Sequence, residues 1–361
     1  MNIAILGAGA GGASAVAELS LAGHATRLWN RSAATLGPFV DAGGVNYEGV
    51  LGNGTAVPEL ISVDLEAALS GVDGILVCLP TLAHASLAQT LAEIGANSIP
   101  VVLNPGHTGG VLAFRRVFER NDLAPPPTAE FSTLTYVARK SSPDTVNTTA
   151  AAKRVWVAAL PGDDQAISLA QSLFPAAAQA TNVLATGLSN VNMVLHPPGA
   201  ILGASWVEAS GGDFTFYVQG LGDGTGRVME TLDRERLAVA AAYGLPLPEL
   251  FEEMSAIGTI ESTADPAEGL AAAVRSGEAN SRIKAPESLA HRYYVEDFFY
   301  GLRPFLVLAA IAEVEVPVAA ALMTLAETMV DPERGIEGRS AAAMGILDMN
   351  KRQLMELVGR A

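Results

Sequence analysis

Cysteine is almost missing from this chain of 361 residues, because Cys78 is its only one. A single cysteine excludes an intrachain disulfide and argues against a cysteine-ligated metal site, so we expect no bound metal. Long apolar runs are missing too. Although 50% of the residues are hydrophobic, no run of about 18 uncharged apolar residues predicts a membrane span. The N-terminus looks like a strand and not like a secretion signal, so we expect a cytoplasmic protein.

Basic residues are scarce relative to acidic ones. The chain has 22 Lys and Arg against 38 Asp and Glu, a formal net charge of −16. This charge argues against nucleic acid as a partner, because the protein would repel the phosphate backbone. An anionic substrate must therefore be held by individual cationic side chains. We expect small-molecule substrates, with no nucleic acid and no membrane partner.

Glycines near the N-terminus form a pattern typical of dinucleotide binding. The apolar run Ile3–Leu6 is followed directly by a Gly-x-Gly-x-x-Gly turn and an alanine-rich predicted helix. In this pattern Gly7 allows a tight turn, Gly9 lets a pyrophosphate approach, and Gly12 lets helix and strand pack closely. The pyrophosphate meets free N–H groups at the positive end of the helix. The alternative is a glycine-rich turn that binds nothing. We predict coenzyme contacts from Gly7, Gly9, Ala10, Gly11 and Gly12.

The end of the second predicted strand, residues 25–29, indicates which dinucleotide is bound. NAD enzymes usually have Asp or Glu there, which accepts hydrogen bonds from the adenosine ribose. This chain instead has Asn30, Arg31 and Ser32. Arg31 suits a bidentate phosphate contact, and its two neighbours can donate to the remaining oxygens. The alternative, compatible with the first, is that Asn30 and Ser32 cap the next helix. We predict NADP as coenzyme, with NAD as the alternative.

The order of apolar patterns predicts two domains. Strands and helices alternate up to about residue 182, and from residue 183 the apolar residues recur at helical spacing. We predict an α/β Rossmann domain with a mostly parallel, doubly wound sheet over residues 1–182. An all-α domain over residues 183–361 would bind substrate and mediate dimerisation, with the cleft between the two. Its predicted helices are 228–243, 265–276, 296–312 and 315–329.

Two further predicted strands add candidates to the coenzyme site. One ends at Leu79 and Pro80, and the other ends at Asn104-Pro105-Gly106. Because open α/β sheets bind ligands at the carboxyl ends of their strands, we add Leu79, Pro80, Asn104 and Gly106 to the predicted site. His107 follows directly, and it either lines the nicotinamide pocket or is structural. Later strands are expected at 129–139, 145–150 and 155–159.

The candidate chemistry lies in the helical part. His196 is predicted to end an apolar helix at a Pro-Pro stop, and Arg292 and Asp297 lie five residues apart around a predicted bend. Reduction of a carbonyl or imine by a nicotinamide needs a proton donor, and histidine is the natural one near neutral pH. Asp297 can fix the tautomer of His196, and Arg292 can clamp the carboxylate of a 2-oxo acid. The structural alternatives are a helix-end histidine and a capping ion pair.

The chain resembles the octopine/nopaline (opine) dehydrogenase family, most of all its bacterial N-(1-carboxyethyl)-norvaline dehydrogenase type. The resemblance covers nearly the whole length. It rests on segments 7–12 and 103–110, Glu130 with 134–136, 190–197, and 292–297 with 301–304.

The resemblance implies an NAD(P)H-dependent reductive condensation of an amino acid or amine with a 2-oxo acid, which is the reverse of oxidation at a secondary amine CH–NH. It implies that His196 is the acid/base, that Asp297 is its partner and that Arg292 holds the oxo acid. The norvaline-type relative has Asp at the end of the second strand, whereas this chain has Asn30, Arg31 and Ser32 there. The resemblance also implies that two subunits pair. Together with the apolar helices within 305–329, this predicts a homodimer.

Two other functions are alternatives to this reading of the sequence. A 2-oxo acid or ketone reductase of the ketopantoate reductase kind would combine the same coenzyme domain with a helical one. Such enzymes usually use a lysine as proton donor, and this chain has none between Lys153 and Lys284. A non-catalytic coenzyme-binding protein is the other alternative. The joint presence of His196, Arg292 and Asp297 argues against it.

Overall fold

The computed structural model describes residues 1–261, 263–277, 280–330 and 335–359. It divides into two compact units. The first contains Met1–Gly106 and Gly110–Val183, and the second contains His107–Gly109 and the chain from Leu184 onward. Parts of the predicted second domain, at 262, 278–279, 331–334 and 360–361, lie outside the described residues.

The first unit contains all of the named strands, which are short and form two sheets. The strands are β1 (Asn2–Leu6), β2 (Ala25–Trp29), β3 (Val45–Gly49), β4 (Gly54–Ala56), β5 (Leu60–Ser62), β6 (Gly74–Val77), β7 (Val101–Leu103), β8 (Thr128–Phe131), β9 (Tyr136–Ser142), β10 (Thr145–Ala151), β11 (Val155–Ala159) and β12 (Ala177–Gln179). Its helices are α1 (Ala10–Leu21), α2 (Ala33–Asp41), α3 (Leu65–Leu69), α4 (His84–Glu93), α5 (Gly110–Arg120) and α6 (Asp164–Leu173).

The larger sheet is a Rossmann-type sheet, as predicted. Its eight strands run in the order β12-β11-β8-β7-β6-β1-β2-β5. The pairings are parallel except the one between β11 and β8. After β1 the chain forms β2 on one side of it, and later it forms β6, β7 and β8 on the other side. The ends of β1 and β6 therefore flank the topological switch point, where open α/β sheets bind ligands.

The smaller sheet shows where one strand prediction was wrong. Residues 129–139 do not form a single strand: β8 ends at Phe131, and β9 starts at Tyr136 in a separate four-stranded sheet with the order β4-β3-β10-β9. Ser132 donates its backbone N–H to Trp156, a contact that continues the pairing with β11, before the chain turns into the second sheet. Helix α1 packs against β3, β9 and β10 of this sheet. Both sheets therefore support the helix that follows the glycine turn.

From residue 183 the named elements are helices. They are α7 (Val183–Leu188), α8 (Asn192–Leu202), α9 (Ala204–Ser210), α10 (Asp223–Ala242), α11 (Leu250–Ile257), α12 (Leu270–Ser276), α13 (Arg292–Asp297), α14 (Arg303–Ala312), α15 (Pro317–Met329) and α16 (Lys351–Val358). A π-helical turn, Phe298–Leu302, joins α13 to α14. In the described part of the chain, none of the helices has the length and apolarity needed to cross a membrane.

Helix α8 does not end at the prolines, so the predicted Pro-Pro stop is wrong. It continues through Pro197 and Pro198 to Leu202. Prolines inside a helix remove backbone donors and crowd the preceding turn, which normally breaks the helix. Here the segment from Met193 to Ile201 is buried, and α8 packs against α10, α13 and α15. This packing outweighs the lost hydrogen bonds and places His196 in the middle of a buried helix.

Candidate active site

The glycine turn has the geometry that its sequence pattern requires. Gly7 has φ +120°, and a Cβ there would lie 2.4 Å from the carbonyl oxygen of Cys78. A Cβ on Gly12 would lie 1.8 Å from the carbonyl oxygen of Gly7, so helix α1 and the turn are in direct backbone contact. A Cβ on Gly9 would meet nothing within 4 Å. The turn thus leaves open space at the one glycine that pyrophosphate is expected to approach.

Helix α1 supplies donors for an anion at this turn. Gly9 precedes its first residue, Ala10, and neither a capping side chain nor an acidic residue competes for the first N–H groups. These groups have no partner within the helix, and they lie at its positive end. Gly7 donates its N–H to the carbonyl of Trp29 at 2.8 Å, which joins the turn to the end of β2. Gly11, like Gly9, would place a Cβ in open space.

Residues 30–32 differ in their contacts at the end of β2. Ser32 is the N-cap of α2, and its hydroxyl accepts a hydrogen bond from the N–H of Thr35 at 3.3 Å. Asn30 donates its backbone N–H to Ser62 at 3.4 Å. Arg31 is exposed and forms no ion pair within the described ranges. The capping alternative therefore holds for Ser32, while the Arg31 guanidinium is accessible to a phosphate.

The predicted coenzyme-binding residues after β6 and β7 differ in their exposure and in the contacts that they already make. Leu79 is half-buried, close to where a Cβ of Gly7 would lie, and Pro80 is exposed. The Asn104 amide donates to the Thr135 hydroxyl at 2.8 Å and is buried. A Cβ on Gly106 would lie 2.4 Å from the carboxylate of the fully buried Glu130. Asn104 and Gly106 thus hold the strand ends together through contacts distant in sequence.

A buried histidine–aspartate pair lies in the helical unit. His196 Nδ1 on α8 and Asp297 Oδ2 on α13 are 2.6 Å apart. His196 is 4% exposed and Asp297 is fully buried. Because an ionised carboxylate only accepts, Nδ1–H donates to it and the tautomer of the ring is fixed. Within the described residues Asp297 Oδ1 has no hydrogen-bond partner, so the charge of the carboxylate is directed at the imidazole.

Two tyrosines complete the surroundings of the imidazole. His196 Nε2 lies 2.7 Å from the Tyr217 hydroxyl, and this hydroxyl lies 3.3 Å from that of Tyr293. The Tyr293 ring stacks on the imidazole with centroids 3.8 Å apart. Burial, and next the neighbouring Tyr293, raises the pKa of Tyr217 well above its usual range, so its phenol stays protonated at neutral pH. Sequence reasoning assigned no role to either tyrosine.

Arg292 and His107 both lie close to another acidic side chain, Glu296. Arg292 Nε is 3.2 Å from Glu296 Oε2, and His107 Nε2 is 3.6 Å from Glu296 Oε1. Burial lowers the pKa of Arg292, but Glu296 and Asp297 outweigh it, so the net pKa is raised and the side chain stays charged. That side chain is 41% exposed. Arg292 is therefore held through its Nε by Glu296, while part of its side chain remains accessible.

His107 belongs to the helical unit although it follows β7 in sequence. Its φ of 57° is unusual for a residue with a side chain. Thr108 ties the segment down, because its hydroxyl donates to Gly187 at 2.9 Å and its carbonyl accepts from Arg339 at 2.9 Å. Burial lowers the pKa of His107 despite Glu296 and Asp297 nearby. His107 is thus a buried, neutral histidine at neutral pH. Among the described residues no group of His, Cys, Asp or Glu could hold a metal ion.

The Rossmann sheet, the open glycine turn and the buried His196–Asp297 pair define the class: a dinucleotide-dependent dehydrogenase. Residues 179–330 match the family model described as NAD/NADP octopine/nopaline dehydrogenase, alpha-helical domain. Residues 3–161 match the model described as ketopantoate reductase PanE/ApbA. The match to the ketopantoate reductase family model is therefore confined to the N-terminal part of the sequence.

Whole-chain comparisons agree with the helical match. The chain is 32% identical to an opine dehydrogenase of Arthrobacter sp. (strain 1C), over 95% of this chain and 94% of that one. It belongs to the opine dehydrogenase family, and it is an NAD(P)-dependent oxidoreductase of the opine dehydrogenase type.

Solved structures show the same fold. Octopine dehydrogenase with NADH and L-arginine matches with a TM-score of 0.75 at 19% identity, over 100% of this chain and 98% of that one. Yersinopine dehydrogenase with NADP⁺ bound matches with a TM-score of 0.75 at 15% identity, over 98% and 99% of the two chains.

Proposed function

We propose that this enzyme joins the amine of an amino acid to a 2-oxo acid and reduces the resulting imine, with His196 as the source of the proton. The buried His196–Asp297 hydrogen bond of 2.6 Å carries this proposal. A reduced nicotinamide, when bound, supplies the hydride. The Asp297 carboxylate holds the imidazole of His196 in one orientation through Nδ1, which leaves Nε2 as the ring position that can exchange a proton.

Arg292 is proposed to hold the carboxylate of the 2-oxo acid. Its guanidinium is charged and partly exposed, and its Nε is already paired with Glu296. A guanidinium has five N–H donors, so an arginine bonded through Nε still has donors for a carboxylate. Arg292 and Asp297 share helix α13. One short helix would then fix both the substrate carboxylate and the orientation of the proton donor.

The substrates can be found with a matrix of amino acids against 2-oxo acids, following consumption of NADPH and NADH. We expect oxidation of coenzyme only when an amino acid and an oxo acid are both present. Rapid oxidation with an oxo acid alone would instead support the ketopantoate-type alternative, in which a carbonyl is reduced directly.

The coenzyme site is proposed to bind NADPH in preference to NADH, with Gly7–Gly12 on the pyrophosphate. Leu79 and Pro80 would line the dinucleotide, beside the strand end at 104–106. The support is the open space at Gly9 and the exposed guanidinium of Arg31, without a competing carboxylate at the end of β2.

Replacing Arg31 by alanine is expected to raise the KM for NADPH about 10–100-fold and to change that for NADH little. The reason is the loss of a charge-assisted contact of roughly 1.5–3 kcal/mol with the 2′-phosphate. Initial rates at varied coenzyme concentration measure both constants. Arg352→Ala on α16, an exposed arginine of the helical unit, is the control. Equal losses for both coenzymes would refute the assignment.

We propose a cytoplasmic homodimer that forms through the helical domain. Helix α15 has Leu325 47% exposed, and the exposed face of this helix also carries alanines. A second copy would cover such small apolar side chains well. Light scattering at micromolar concentration is expected to give the mass of a dimer. A monomer mass would disprove the pairing.

A further inference from the structure

We propose that the Tyr217 hydroxyl, and not the imidazole itself, delivers the proton to the substrate nitrogen, so that Asp297, His196 and Tyr217 form a relay. The proposal rests on the proposed function, because it assumes that His196 is the proton source. It adds a catalytic residue that the sequence motifs do not contain.

Both ring nitrogens of His196 are already bonded, so neither is left for a substrate. Nδ1 is bonded to Asp297 at 2.6 Å, and Nε2 is 2.7 Å from the Tyr217 hydroxyl. Imidazole has only these two hydrogen-bonding positions. A proton that leaves Nε2 therefore enters the Tyr217 hydroxyl.

The faces of the imidazole ring are also covered by aromatic side chains. Tyr293 stacks on the imidazole at 3.8 Å, and Phe216 approaches it edge-on with centroids 6.1 Å apart. His196 and Tyr217 are each 4% exposed, so the order of the hydrogen bonds, and not exposure, places the Tyr217 hydroxyl at the end of the chain that starts at Asp297. A substrate that reached Nε2 directly would have to displace Tyr217 from a packed aromatic cluster. Such clusters resist rearrangement, because interiors are closely packed.

The hydroxyl of Tyr217 has the chemistry that a relay needs. A phenol has one proton to donate and lone pairs to accept, so it can take a proton from His196 while it gives one away. Burial keeps its pKa high, and the phenol is therefore protonated before reaction. The Tyr293 hydroxyl at 3.3 Å is a second partner for the oxygen. These contacts hold the oxygen in place without requiring that it ionise in the resting enzyme.

One proton passes along the relay for each hydride that is transferred. Hydride adds to the imine carbon, and the π electron pair of C=N moves onto nitrogen. The nitrogen takes the proton of Tyr217, the phenol oxygen takes the proton of His196 Nε2, and the imidazolium becomes neutral imidazole. Its Nδ1–H stays bonded to Asp297. Oxidation of the product amine runs through the same bonds in reverse.

Replacing Tyr217 by phenylalanine tests the relay. We expect kcat to fall about 100-fold, within the usual range for a lost acid–base group, while the Michaelis constants change little. Tyr243→Phe is the matched control, since that buried tyrosine donates its hydroxyl proton to the Leu308 carbonyl at 2.7 Å, away from His196. We expect the control to keep normal kcat.

Rates in mixtures of light and heavy water give a second readout that a structural role would not change. A relay moves two protons in one step, so the wild-type rate is expected to depend non-linearly on the deuterium fraction. A linear dependence in the wild type overturns the relay even if Tyr217→Phe fails to fold.

The outcomes separate the two proposals. Normal or increased kcat in Tyr217→Phe, with a slow His196→Ala, overturns only the relay and makes the hydroxyl a group that substrate displaces. Normal kcat in His196→Ala refutes the proposed function's proton source together with the relay.

Discussion

Replacing His196 by alanine is expected to lower kcat by about 10²–10⁴-fold, the range typical of a lost general acid. The imidazole is the only ring bonded to Asp297 among the described contacts, and water cannot reproduce its fixed orientation. Coenzyme affinity should hardly change, because the glycine turn belongs to the first unit. Steady-state kinetics and a coenzyme titration measure the two effects separately.

Asp297→Asn is expected to slow the same step without unfolding the protein. The amide keeps the shape of the carboxylate, but it can present an N–H to Nδ1 and so misorient the imidazole or change its tautomer. The double variant with His196→Ala should be about as slow as the slower single variant, because groups acting as a unit are not additive.

Arg292→Ala provides the contrast. Its loss should appear mainly as a higher KM for the 2-oxo acid, with a smaller change for the amino acid, because the guanidinium is proposed to hold only one of the two substrates.

A folded His196→Ala enzyme that keeps near-normal kcat at neutral pH would contradict the scheme. His107 would then be the next histidine to test.

Alanine substitutions in the glycine turn are expected to produce two different large effects. In Gly12→Ala the new Cβ would lie 1.8 Å from a backbone oxygen, so helix α1 must move away from the turn. Overpacking of this kind costs about 1–3 kcal/mol. We expect a lower melting temperature together with lost coenzyme binding.

Gly9→Ala should keep the fold and still lose the coenzyme. Its Cβ meets nothing within 4 Å in the protein, so the methyl group can clash only with a bound ligand. Melting curves and coenzyme fluorescence titrations of the two variants measure the difference. Gly37→Ala in α2 is the control, because its Cβ also points into open space. Normal coenzyme affinity in Gly9→Ala would show that pyrophosphate does not bind at this turn.

Local sequence signals predicted the coenzyme half of the fold well. The strand, glycine turn and helix are continuous in sequence, and the alternation of apolar runs gave the mostly parallel sheet. The prediction of one strand over 129–139 was wrong because a change of sheet at residues 132–135 leaves the apolar pattern nearly unbroken. The Pro-Pro stop was wrong because packing by α10, α13 and α15 sustains the helix.

The surroundings of His196 could be predicted only in part. Asp297 was found because it lies in a recognisable block with Arg292. Tyr217 has no such signal, and its contact with His196 depends on how the chain folds between them. The position of His107 was predicted from the strand that precedes it. The structure places it beside Glu296, which is 189 positions away in the sequence. Local patterns carry no information about contacts of this kind.

The identity of the product tests the central claim most directly. With an active pair of amino acid and 2-oxo acid, and reduced coenzyme carrying deuterium at the transferable position, the product can be identified by mass spectrometry. We predict a secondary amine that contains the carbons of both substrates and the amino acid nitrogen, with deuterium on the former carbonyl carbon. A deuterated 2-hydroxy acid, with the amino acid unchanged, would contradict the account.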